Sequence, residues 1–86
     1  MEKINEKYYL GSNKNTFILY EKKISANGKE TYKNIGYLNS LDKVYHTIIE
    51  KEIKEDLSII NNIEQIRKMV QELKDFTIQY VQKGQE

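Results

Sequence analysis

Up to Leu38 this 86-residue chain carries short stretches rich in β-branched and aromatic residues, with period-two spacing at Ile4, Tyr8 and Leu10, and from Leu41 onward its apolar residues recur at spacings of three and four. Alternation is the period of a strand with one covered side, and the three-four spacing is the period of a helix with one covered stripe. A single change of period near residue 39 therefore predicts an α+β chain, sheet first and helices second.

In the first half, Ile4, Tyr8 and Leu10 fall on one side of a first strand, and GSNKN at 11–15 is a cluster of turn formers. A second strand runs through Thr16–Ile24. Asn27-Gly28 then marks a hairpin, because the two central positions of a type I′ turn both need positive φ. A two-residue loop there sets the register: Ile24 opposite Thr31, Lys22 opposite Lys33, Tyr20 opposite Ile35 and Ile18 opposite Tyr37. The expected sheet is a three-stranded antiparallel meander over residues 3–38.

The second half gives two helices. Asn39 or Ser40 can cap the first, over 40–55, with Leu41, Val44, Tyr45, Ile48 and Ile49 as its apolar stripe and Asp42 favourable in its first turn. After a break at 56–62, Asn61 and Glu64 form a capping box for a second helix over 62–82. Its stripe is Ile63, Ile66, Val70, Leu73, Thr77 and Tyr80, flanked by Met69 and Phe76, and Lys83–Glu86 are expected to fray. With no proline and no low-complexity tract to mark a linker, residues 1–86 read as a single β-β-β-α-α domain with helices over one side of the sheet.

Several chemistries find no support. The chain has no Cys, so disulfides and thiolate chemistry are excluded, and no apolar run approaches a membrane span or a signal-peptide core, which points to a cytoplasmic protein. The one histidine, His46, lies on a helix with Asp42 and Glu50 four residues to either side; zinc sites want more His or Cys than this, and the trio reads as a solvated helix edge. No nucleophile elbow and no phosphate-cradling glycine motif is present. The expectation is a non-enzyme with no catalytic residue, no metal and no cofactor.

Charge is nearly balanced at +1, though residues 1–38 carry +3 and the remainder −2. Lys, Ile, Asn and Tyr supply 40 of the 86 residues, the bias of A/T-rich codons, so lysines alone say little about partners.

The hairpin is more informative, because both of its sides are apolar. One carries Ile18, Tyr20, Lys22, Lys33, Ile35 and Tyr37; the other carries Phe17, Leu19 and Leu38 around Gly36, whose missing side chain would admit a helix closely. If the tyrosine side is the core, its lysines reach out to solvent. If it is not, Ile18, Tyr20, Lys22, Lys33, Ile35 and Tyr37 form a partner-binding surface, for a protein through aromatic anchors or for nucleic acid through stacking and phosphate contacts. The long second helix adds Phe76, Tyr80 and Val81 as candidates for self-association in a homodimer.

Phe17–Leu19, Glu21–Lys23, Gly28-Lys29, Tyr32, Gly36-Tyr37 and Ser40-Leu41, taken together, resemble a set of small phage and prophage proteins of unassigned function from low-GC Gram-positive bacteria, over roughly residues 4–75. The resemblance implies a cytoplasmic accessory protein that binds and modulates or inhibits a host protein or ribonucleoprotein complex, such as an anti-CRISPR-like inhibitor of host defence. Nucleic acid or a second copy of the chain are the alternative partners, and no membrane is implied.

Overall fold

In the computed structural model, which describes residues 1–84, the first half of the chain forms one antiparallel sheet of four strands and the second half forms two α-helices. The strands are β1 (Glu2–Lys3), β2 (Tyr8–Ser12), β3 (Phe17–Ile24) and β4 (Glu30–Leu38), in that spatial order. The helices are α1 (Leu41–Glu55) and α2 (Ile63–Gly84), separated by a 3₁₀ turn at Leu57–Asn61. The chain divides into two compact units, Met1–Val44 and the residues from Tyr45 onward.

The sheet has one strand more than the sequence pattern predicts. Asn5 breaks the expected first strand: its side-chain carbonyl accepts the backbone N–H groups of Lys7 and Tyr8, both at 2.9 Å, and the chain turns between β1 and β2. An Asx turn of this kind supplies the backbone partners that a continuous strand would have offered. The short β1 then pairs back onto β2, Glu2 against Leu10 and Lys3 against Tyr9.

The hairpin between β3 and β4 also departs from expectation. Its loop holds three residues, with Gly28 N–H donating to Ser25 O at 2.9 Å and Ser25 N–H donating to Lys29 O at 2.9 Å. Among the described residues only Gly28 has positive φ, at 84°, so the loop is a type I turn followed by one left-handed glycine rather than a type I′ turn. The extra loop residue shifts the register by one: Ile24 faces Glu30, Lys22 faces Tyr32 and Glu21 faces Lys33. A bulge at Ile35 absorbs the shift, and beyond it Leu19 faces Gly36, Ile18 faces Tyr37 and Phe17 faces Leu38 as the sequence predicts. Asn34 helps to hold the bulge by accepting the Gly36 N–H at 3.0 Å.

In the Met1–Val44 unit the covered side of the sheet is the one with Leu19. Ile4, Tyr8, Leu10 and Leu19 are buried there, each burial contributing about 1.5–3 kcal/mol, and Val44 in the first turns of α1 is buried as well. Glu21 shares this side at 1% exposure, with Lys23 at 2.9 Å and Lys7 at 3.6 Å from its carboxylate oxygens. Two ammonium groups thus meet a carboxylate that could not otherwise stay ionised out of water.

The stripe of α1 holds, with Val44 and Ile48 buried, whereas in α2 the stripe members Ile63 and Val70 are exposed and the buried residues are Leu73 and the flanking Phe76. Ser40 caps α1 by accepting the Lys43 N–H at 3.3 Å. In the second unit Asp56 caps the 3₁₀ turn, which buries Ile59. The cap of α2 is Asn62, accepting the Gln65 N–H at 3.1 Å, one residue later than the expected Asn61. Ile48, Leu73 and Phe76 are buried, and Tyr45 of α1 is hydrogen-bonded to Thr77 of α2. The helix continues through Gly84, beyond the expected end at 82, and the fraying expected for Gln85 and Glu86 lies outside the described residues.

The two hairpin glycines make opposite predictions. Gly28→Ala puts a Cβ into open space but into a left-handed backbone, and is expected to destabilise the protein by about 1–2 kcal/mol in urea unfolding. A Cβ at Gly36 meets only the Leu38 side chain at 3.8 Å, ordinary packing distance, so Gly36→Ala should stay within about 0.5 kcal/mol of the parent. A large loss at Gly36 would show that it is needed for the close approach its sequence context suggested.

Candidate functional site

The other side of the sheet is built from alternate positions of all four strands. Pairing places Lys3 beside Tyr9, Tyr9 beside Tyr20, Gly11 beside Ile18, Lys22 beside Tyr32 and Ile18 beside Tyr37. Four of the seven tyrosines of the chain therefore stand on one side. None of these tyrosines is buried, and Tyr37 is 67% exposed.

Their packing is specific. Tyr20 extends over Gly11, where a Cβ would come within 3.0 Å of the ring, so the glycine supplies the seat for the aromatic side chain. Tyr9 and Tyr32 reach toward each other across β3 and meet edge to face, ring centroids 5.0 Å apart at 77°. The Tyr32 hydroxyl donates to Glu30 at 3.4 Å, and Lys22 lies 3.7 Å from the same side chain. At the β1 end, Lys3 and Glu6 pair at 2.8 Å.

These pairings govern ionisation. The hydrogen bond between Lys3 and Glu6, reinforced by their opposite charge, holds the lysine above its ordinary value and the glutamate below. For Tyr32, loss of water around the phenol is the main effect, followed by the neighbouring Tyr9 and Glu30; together they raise it above the ordinary 10.0, against the opposing pull of Lys22.

Of the six candidate partner-binding residues, Ile18, Tyr20, Lys22 and Tyr37 share this side. Lys33 does not. The one-residue shift places it opposite Glu21, on the side with Leu19, so the expected Lys22–Lys33 pair across the strands is replaced by Lys22 with Tyr32. Ile35 is the bulged residue and has no register partner. Tyr9, Tyr32 and Lys3 are the members that the sequence pattern did not supply. Tyr9 could have been found, since it alternates with Tyr8 and Leu10; Tyr32 required the loop length.

The candidate self-association residues separate as well. Phe76 is buried, Tyr80 is stacked on it with centroids 5.6 Å apart, and Val81 is 48% exposed. His46 pairs with Glu50 at 3.1 Å on the surface, and no group of three or more metal-ligating side chains occurs among the described residues. Nor is any helix of the described residues long and apolar enough to cross a membrane.

No protein-family model matches the chain, and neither a curated protein nor a solved structure matches it significantly.

Because Tyr32 has a raised folded-state value, its neutral form is favoured by the fold. That stabilisation is complete below the ordinary tyrosine range near 10.0 and is lost as pH rises through the folded value. An ultraviolet tyrosinate titration of the folded protein should include a late-ionising component that Tyr32→Phe removes. A curve that loses only an ordinary phenol in Tyr32→Phe would mean the Tyr9–Tyr32–Glu30 cluster does not hold in solution.

Proposed function

We propose that this protein is a non-enzymatic binding protein that occupies a surface on another protein through the tyrosine side of its sheet. The observation that carries the reading is the gathering of Tyr9, Tyr20, Tyr32 and Tyr37, with Ile18, on the side of the sheet that is not buried. Tyrosine serves as an interface anchor because it removes a large apolar ring from water, immobilises few torsions and keeps a hydroxyl for a directed hydrogen bond.

The charges on this side favour a protein over nucleic acid. Lys3 is matched by Glu6 and Lys22 by Glu30, so a phosphate backbone would meet carboxylates beside each ammonium group. A protein surface can satisfy both signs, with Lys22 and Glu30 fixing orientation at the rim. The resemblance to small phage and prophage proteins supports a narrower form: an accessory protein acting by steric occlusion on a host complex, as an anti-CRISPR-like inhibitor would. Such a mechanism asks only for a rigid, complementary surface.

A photo-crosslinking residue placed at Tyr37 should capture a discrete protein from lysate of the native host, whereas one at the exposed turn residue Lys14 should not. With that partner purified, Tyr37→Ser should reduce affinity by tenfold or more while leaving unfolding unchanged within about 0.5 kcal/mol. Capture that requires intact RNA or DNA and collapses with added salt would move the reading to a nucleic-acid regulator. Equal capture from both positions, or crosslinks only between copies of the chain, would remove the binding face altogether.

A further inference from the structure

We propose, building on the binding role proposed for the tyrosine side of the sheet, that the segment it takes up is proline-rich and in the polyproline II conformation. The site is one row across the strands, in which Gly11 of β2, Ile18 of β3 and Tyr37 of β4 stand side by side. Tyr20 lies over Gly11, so its ring fills the β2 place where the row has no side chain of its own. A tyrosine thus stands at each end of the row, with the half-buried Ile18 between them.

The spacing of that row fits one turn of the proposed ligand. Strands β2 and β4 are two strand spacings apart, about 9.6 Å. A polyproline II helix advances about 3.1 Å per residue and repeats every three residues, which is about 9.3 Å. Residues i and i+3 of a segment laid across the strands therefore meet the two tyrosines, and the stretch between them rests on Ile18.

The free polar atoms select the backbone conformation. The Tyr20 and Tyr37 hydroxyls make no hydrogen bond among the described residues. Asn34, the register partner of Tyr20, accepts the Gly36 N–H with its side-chain oxygen, which leaves its amide group to donate. The charges of the face are already matched, Lys3 with Glu6 and Lys22 with Glu30. What remains is a set of uncharged donors beside apolar rings. A helix spends its carbonyls on its own N–H groups, and a strand pairs its carbonyls at a sheet edge rather than on a sheet face. Polyproline II leaves every carbonyl unpaired, while proline contributes an apolar ring and no competing N–H. A second copy of the chain does not supply such a segment, since the sequence contains no proline.

The test is a titration of capped decaproline into the full chain, followed by amide NMR, with a Gly-Ser decapeptide and a thymidine decanucleotide as controls. Decaproline should shift Gly11, Ile18 and Tyr37 and leave Val70 and Ile78 of the helical unit in place. Tyr20→Phe and Tyr37→Phe keep the ring and remove the hydroxyl, and each should weaken decaproline about three- to tenfold, the range of one hydrogen bond. Tyr37 is 67% exposed, so its variant tests the contact without disturbing the fold. No shift at millimolar decaproline, an equal response to the Gly-Ser peptide, tighter binding of the oligonucleotide, or Phe variants that bind as the parent does would overturn the proposal. Should the crosslinker at Tyr37 capture a protein while decaproline fails to bind, the face keeps its binding role and the proline-rich occupant falls; should both fail, the face itself is withdrawn.

Discussion

A single left-handed glycine governs how the sheet presents itself. Gly28 closes a three-residue loop in which Asn27 keeps negative φ, and the consequence is a register one residue out of step with the two-residue alternative. Since side chains alternate, a one-residue step on β4 exchanges its two sides. Tyr32 passes to the side of Tyr20 and Lys33 passes to the side of Leu19. The bulge at Ile35 then reverses the exchange before the sheet reaches Gly36, so that Tyr37 also joins the tyrosines and Leu38 joins Phe17. Loop and bulge are thus a matched pair: without the bulge, the loop would deliver Tyr37 and Leu38 to the wrong sides.

The distinction between the two sides is sharpened by Glu21. A carboxylate in the middle of a buried strand side is costly unless charges come with it, and Lys7 and Lys23 reach it from the ends of the neighbouring strand and its own. The lysine heads stay partly in water, so the arrangement avoids burying both members of a pair, the situation in which desolvation exceeds attraction. It also discriminates against slippage. Moving β3 by one residue would carry Glu21 away from the lysines and put Tyr20 and Lys22 into the covered layer, where Lys22 would lose the Glu30 carboxylate. The ion pairs therefore weigh more on register than on net stability.

These features mark the boundary of what the residue pattern can convey. The change of period near residue 39, the stripe of α1 and the buried trio Ile4, Tyr8 and Leu10 all follow from spacing alone, because burial enforces spacing. Loop length does not. Asn-Gly suits a type I′ turn, which needs positive φ twice, and also a type I turn with a single left-handed glycine, and local preference separates the two poorly. Strand β1 is two residues long, too short for any alternation to register, and it exists because Asn5 turns the chain back onto β2. Asn61 and Asn62 are equally good caps, and the choice between them is made by the preceding 3₁₀ turn, whose burial of Ile59 fixes where α2 can begin.

The proposed binding face is only partly legible for the same reason. Alternation puts Ile18, Tyr20, Lys22 and Tyr37 together because β3 is regular and the far end of β4 is back in register; it does not include Tyr32, which lies between the loop and the bulge. Yet Tyr32 is the residue that gives the face its order, through Tyr9 on one hand and Glu30 on the other. Free tyrosines on a sheet would sample several rotamers and lose that freedom on binding, at about 0.5–1.5 kcal/mol for each side chain immobilised. Here Tyr20 is seated on Gly11, and Tyr9 and Tyr32 hold each other edge to face, so much of that ordering is already complete in the unbound chain. Tyr37 is the most exposed of the four, and under the proposed function it makes the first contact beside a surface already set in shape.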